Sequence, residues 1–274
     1  MEFIKLNKGS TPVYTHNNIS FYKLDTKQEE PDIPPTEVTF DPVFANNSWT
    51  KLAEASSIIA ANNYNSDDVR TIFGWDLLND TKDDVGVDGT VRTFHINGFN
   101  HDDLSDGTGK AGITLGIKKF ELTKYPISSN AANAGGYPQT KMRNETIPTI
   151  EMLLSEELQS VIKAVDKKSA NGSGSYFTEV VTSSEKLFLY SAVEMFAEEP
   201  KYTAQSFSDE GVIYEFWSNK TDADRMSMFG DYYWLRSCRD GRTVFCRVNG
   251  STSGTITSTS NNTSSCRVVY CLCI

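Results

Sequence analysis

The last 38 residues, 237–274, constrain this chain most. They contain no Lys, Glu, Gln, Met or Trp, although these types make up roughly one in five of the positions before Ser237, a rate that would put about eight in the tail. All five cysteines (Cys238, Cys246, Cys266, Cys271 and Cys273) and four of the nine arginines lie here. Between Val248 and Ser265, 14 of 18 residues are Ser, Thr or Asn. Strand-like apolar runs flank that polar stretch, residues 243–248 before it and 268–274 after it. A disordered tail does not end in Val-Val-Tyr-Cys-Leu-Cys-Ile, because such a run needs a core to remove it from water. The segment is therefore expected to be structured, with its polar part displayed as a contact surface between buried ends. Small polar side chains with interspersed Arg, Tyr and Asn have the composition of adaptable binding loops. Arg239, Asp240, Arg242, Arg247 and Arg267 add charged anchors, the arginines suited to bidentate pairing.

The remainder of the chain is long enough for one large domain, or for a domain with a small appendage. A net charge of −10 leaves no basic face to meet phosphates, which argues against a nucleic-acid partner. No apolar run approaches the roughly 18 residues that a membrane-spanning helix needs, so no membrane insertion is expected. Met1-Glu2-Phe3-Ile4-Lys5 lacks a basic segment leading into an apolar one. The chain is thus expected either to stay in the cytoplasm or to leave by a route without a signal, such as lysis releasing a virus particle. The odd, clustered cysteines do not suggest a disulfide framework. Cys271 and Cys273 are read as pointing to opposite faces of a terminal strand, which would keep them from sharing a metal.

Along the chain, strands and helices intersperse without regular βαβ alternation, and the expected class is α+β. Residues 1–30 read as a short β segment, hairpin-like around His16, Asn17 and Asn18, and suited to oligomerisation or docking because it cannot bury its own core. Residues 31–35 read as an extended proline-containing linker, and residues 36–274 as the main domain. Ser48 is an N-cap for a helix through about Ala61, with Leu52, Ala55, Ile58 and Ile59 on one face. Residues 91–99 and 113–122 read as strands. Residues 140–166 read as helical in pieces, interrupted at Pro148. Residues 186–190 form a further strand, and Thr221 to Asp224 cap a short helix to Phe229. Residues 232–236 and 243–248 are strands leading into the polar hairpin.

Chemistry-bearing motifs are sparse. The loop 101–110 carries Asp102, Asp103 and Asp106 beside Gly107, and hard carboxylate oxygens in one loop offer an alternative Ca²⁺ site. The spacing does not fit an EF-hand, nor Gly107-x-Gly109-Lys110 a phosphate loop; a polar turn with Asx hydrogen bonds is the plainer reading. His95 and His101 have no local nucleophile signature, and no G-x-S-x-G, C-x-x-C or H-E-x-x-H spacing occurs. No enzyme, metal or cofactor is expected.

Several segments together carry a family likeness: residues 97–104 (Asn-Gly-Phe-Asn-His-Asp-Asp-Leu), 133–136 (Asn-Ala-Gly-Gly), 186–190 (Lys-Leu-Phe-Leu-Tyr), 234–237 (Trp-Leu-Arg-Ser), Phe245-Cys246-x-Val248-Asn249 and the terminal Cys273-Ile274. In that order they resemble the variable proteins of diversity-generating retroelements with a C-type-lectin-like domain, found in phages of gut bacteria. The resemblance runs from near Thr36 to the end of the chain. It implies a C-type-lectin-like fold, a variable region over about residues 237–272, and a non-enzymatic receptor-binding role at a phage tail, with a bacterial cell surface as the alternative location. Implied partners are a host cell-surface protein or glycan, with a homotrimer or tail proteins beside it; a calcium-dependent lectin is the alternative. It also implies a cause for the missing residue types. An error-prone reverse transcriptase that randomises template adenines turns AAY codons into NNY, which encodes none of the five absent types. On that implication Cys246 and Cys273 are framework, while Cys238, Cys266 and Cys271 are products of randomisation, their thiols open to cross-linking where exposed. The expected contact set is Cys238, Arg239, Asp240, Arg242, Thr243, Arg247, Asn249, Thr252, Asn261, Asn262, Thr263, Cys266 and Arg267. Two departures stand out: Cys238 follows the Trp-Leu-Arg-Ser run where the family has Pro, and Cys271-Leu272 stands where it often has Gly-Phe.

Overall fold

The computed structural model describes residues 14–16, 19–21, 39–119, 121, 123–129, 133–171, 180–196, 207–238, 244–251, 253, 256–258 and 262–274. The chain divides into two units, Met1–Thr39 and Phe40–Ile274. In the first, β1 (Tyr14–His16) pairs antiparallel with β2 (Ile19–Phe21), His16 opposite Ile19. The expected linker at 31–35 lies outside the described residues.

The second unit opens with α1 (Trp49–Asn62), where the Ser48 side chain accepts from Lys51 N at 3.2 Å. That bond satisfies one of the orphan donors of the first turn. Leu52, Ala55 and Ile59 are fully buried, one face of a 3.6-residue period. Helix α2 (Ser66–Phe73) carries a capping box between Asn65 and Asp68. Strands β3 (Thr81–Val85), β4 (Val91–Phe99) and β5 (Ile113–Ile117) follow. After the short β6 (Tyr125–Pro126), a π-helical turn over Met142–Thr146 runs straight into α3 (Ile147–Glu151). The expected break at Pro148 is not there. Pro148 follows directly on the π-helical turn, and the helical run continues on both sides of it.

Helix α4 (Glu156–Val161) leads into β7 (Val165–Ala170) and β8 (Val180–Glu185), a hairpin rather than the helical end expected to 166. Then come β9 (Leu187–Leu189), α5 (Ala192–Phe196), α6 (Glu215–Ser218) and α7 (Asp222–Phe229). The terminal region forms β10 (Tyr232–Cys238), β11 (Phe245–Asn249), β12 (Ile256–Ser258), β13 (Ser265–Cys266) and β14 (Tyr270–Cys273).

The class is α+β with antiparallel sheets. The central sheet has the order β3-β4-β5-β14-β9, so the last strand of the chain lies inside it, hydrogen-bonded on both sides. Residues 268–274 are all essentially buried. Each such side chain contributes about 1.5–3 kcal/mol of transfer free energy, which is why an apolar terminus is tied down rather than frayed. One sheet face meets α1, with Trp49 edge-on to Phe94 at 6.0 Å. The Ser56 hydroxyl donates to Ile274 O and accepts from Ile113 N at 3.0 Å, joining helix, strand and C-terminus. The helix comes this close because residue 112 is glycine: a Cβ there would lie 1.9 Å from Ser56 O. A separate sheet, β10-β11-β12, carries the terminal polar region, with β13 paired to β6.

Gly112→Ala is therefore expected to destabilise the main unit by about 2–4 kcal/mol in urea unfolding, since a backbone carbonyl cannot step aside as a side chain can. The exposed Ser57→Ala on the same helix should stay within about 0.5 kcal/mol of the parent.

Candidate ligand-binding face

Strand alternation decides which residues of the terminal region can be touched from outside. In β11, Cys246 and Val248 face inward and are buried, while Arg247 and Asn249 are half-buried on the other face. Arg247 stands opposite Trp234 and lies over the Tyr232 ring, 4.2 Å from its centroid, a cation–π contact that fixes a long side chain. Arg267 runs beside β10 and donates from Nε to Asp231 Oδ2 at 3.0 Å; Lys124 reaches the same carboxylate at 2.9 Å. Partial burial would raise the Asp231 carboxyl, but Lys124, the Tyr232 amide and Arg267 together outweigh it and hold the group below its ordinary pKa. Tyr232, Arg247, Asp231, Arg267 and Lys124 thus make one partly exposed, charged and aromatic face. Ser251, Ser253, Thr263 and Ser265 are exposed in the same terminal region.

The expected contact set divides. Arg247, Asn249, Thr263 and Arg267 are at least partly accessible. Arg239, Asp240, Arg242, Thr243, Thr252 and Asn261 lie outside the described residues. Cys238, Asn262 and Cys266 are buried to within 1%, which corrects their place in a contact surface. Asn262 is held inside because Phe245 N donates to its Oδ1 at 2.9 Å, closing the polar loop back onto β11. Cys266 pairs across from Tyr125 and lies 3.8 Å from Arg247 Nη1. Burial pushes its thiol up against the pull of Arg247.

All five cysteines are buried and none is in a disulfide, so exposed thiols are not a feature of this chain. Cys271 and Cys273 share a face rather than opposing each other, since residues two apart in a pleated strand point the same way. Cys271 Sγ accepts from Asn97 Nδ2 at 3.3 Å, and Cys273 Sγ lies 3.3 Å from Thr114 Oγ1. Burial raises both thiols well above their ordinary range, so both are neutral and poor nucleophiles.

The three loop aspartates do not converge on an ion. Asp102 turns inward, Asp103 pairs with Lys110 at 3.0 Å, and Asp106 accepts from Thr108 N and Oγ1 in its own turn. Among the described residues no cluster of three His, Cys, Asp or Glu side chains could hold a metal.

Beneath the terminal region runs a chain of buried charges that sequence reading missed. Lys167 Nζ lies 2.5 Å from both Asp102 Oδ1 and Glu194 Oε1. Arg236 of β10 clamps Glu194 with both terminal nitrogens and also donates to the carbonyls of Lys168, Leu189 and Glu210. Burial opposes every charge here. Lys167 and the neighbouring His101 outweigh it for Asp102, which stays well below its ordinary value, and Arg236 and Lys167 outweigh it for Glu194, which stays below its own; the two acids outweigh it for Lys167, which rises. Glu210 is the fifth member. It accepts from Ala170 N at 2.7 Å and from the Ser237 hydroxyl, yet burial exceeds the pull of Arg236 and lifts it to about 7.

No family model, curated protein or solved structure matches the chain.

The Glu210 shift has a sign. A carboxyl whose folded pKa is raised stabilises the fold fully below its unfolded value of 4.5, and that contribution is lost as pH rises to about 7. Glu210→Gln, neutral throughout, is expected to gain about 2–4 kcal/mol relative to the parent between those pH values and then level off. Parallel stability profiles from urea titrations at several pH values would contradict it.

Proposed function

We propose that this is a non-enzymatic receptor-binding protein with a C-type-lectin-like scaffold, displaying a hypervariable C-terminal surface. One observation carries the reading. The 38-residue segment that lacks five amino-acid types also holds, among its described residues, a division between interior strand positions and accessible Arg, Asn, Ser and Thr. A packed framework with replaceable polar positions on it lets side chains change without unfolding the protein. The face around Arg247 and Arg267 favours partners offering carboxylates, phosphates or hydroxyls. On this reading the chain works at a phage tail tip against a host cell-surface protein or glycan. Trimers would raise the avidity of weak single sites by about 10²–10⁴. No helix among the described residues is long and apolar enough to cross a membrane.

The test uses the purified protein on a panel of bacterial cells, read by flow cytometry. Arg247→Ala with Thr263→Ala is expected to weaken binding to a recognised strain by about tenfold or more, the loss typical of a contact hot spot. The melting temperature should move by only a few degrees, as for other surface changes. Glu54→Ala, on the exposed side of α1, should bind as the parent does. Unchanged adsorption by the double variant would count against the proposal.

A further inference from the structure

On the sheet face opposite α1, a cavity of about 580 Å³ opens among β3, β4 and α7. Its walls include Lys118, Lys119 and Lys220, three ammonium groups in a chain whose net charge is −10. No ion pair holds any of the three among the described residues. Among the described residues the single acidic one in the wall, Asp224, is engaged at the start of α7, accepting from Thr221 N at 2.7 Å and Thr221 Oγ1 at 2.8 Å. Lys220 rests over the Phe216 ring, 4.8 Å from its centroid.

His95 belongs to the same wall and is 2% exposed. Its ring stacks on Phe216 with centroids 4.0 Å apart. Nδ1 lies 3.3 Å from Ile96 O, and a carbonyl can only accept, so the proton sits on Nδ1. Nε2 then carries a lone pair, and it is buried with no hydrogen-bond partner. Burial, aided by Lys118 and Lys220, lowers this histidine to about 3 and keeps it neutral at physiological pH. An orphaned buried acceptor costs about 1–3 kcal/mol unless a donor reaches it.

We propose that this cavity binds a small hydroxylated organic anion, a sugar acid or sugar phosphate. Lys118, Lys119 and Lys220 surround the anionic group, and the His95 Nε2 accepts a hydrogen bond from a ligand hydroxyl. The two demands select together. A bare anion leaves the imidazole unpaired, and a neutral sugar leaves the lysines unpaired. This site is independent of the terminal region and does not rest on the reading given for it.

Titration calorimetry of the full chain at low salt tests this with glucose 6-phosphate, glucuronate and glucose. Glucose 6-phosphate, glucuronate or both are expected to bind at roughly millimolar concentration or below, and glucose not at all. Which of the two binds separates a phosphate monoester from a sugar acid. Lys118→Gln with Lys220→Gln, both at accessible positions, should weaken binding by about tenfold without changing the melting temperature. His95→Phe should weaken it as well; if that variant does not fold, the lysine pair still decides. Binding of neither anionic sugar, equal binding of glucose, or parental affinity in the lysine variant overturns the proposal.

Discussion

The start of the terminal region depends on how Arg236 is held. Its guanidinium is fully buried, clamps Glu194 and closes three backbone carbonyls from three different segments. Glu194 is shared with Lys167, and Lys167 with Asp102. Two cations and two anions balance in a place where a single unpaired charge would cost several kcal/mol. Such a chain adds little net stability over an apolar core, but it tolerates few alternative arrangements. Removing one member strands its partner, so the geometry of β10 is specified rather than merely favoured. Glu210 sits just beyond the balance and touches both Arg236, through its carbonyl, and Ser237, through its carboxyl group. The restricted segment begins at Ser237, the residue next to Arg236.

The other end of that segment is fixed by different means. Strand β14 lies inside the central sheet with a neighbour on each side, and the residue after it, Ile274, is tied to α1 through Ser56. The segment is anchored at one end by buried charge and at the other by backbone pairing and apolar burial. Among the described residues between these anchors, accessible positions such as Asn249 and Thr263 alternate with buried ones such as Val248 and Asn262; on the proposed reading it is the accessible positions that vary.

Much of this was legible in the sequence where local rules govern. Ser48 and the spacing of Leu52, Ala55 and Ile59 gave α1 almost to the residue, and the strand read over residues 91–99 is β4. The apolar terminus announced its own burial. Strand β3 went unread because Thr-Lys-Asp-Asp-Val has no apolar alternation; it is an edge strand, and charge suits an edge. The β7–β8 hairpin was hidden because Lys167, the side chain facing inward, is a cation. Its partners, Asp102 and Glu194, stand too far along the chain on either side for any window of local pattern to join them. The same limit explains Cys238, Asn262 and Cys266: composition sets the segment apart from the rest of the chain, but only pairing register tells which of its positions face inward.

The central claim is that residues 237–274 were drawn from a restricted codon set and are displayed on a framework that does not vary. Sequencing the gene and its flanking DNA from several isolates tests this most directly. The account predicts a nearby near-copy of the 3′ end that differs only where the copy has adenine, with substitutions gathered at accessible positions such as 247, 249 and 263 and rarer at buried ones. Isolates with no such copy, and with changes spread evenly through buried and exposed positions alike, would contradict it.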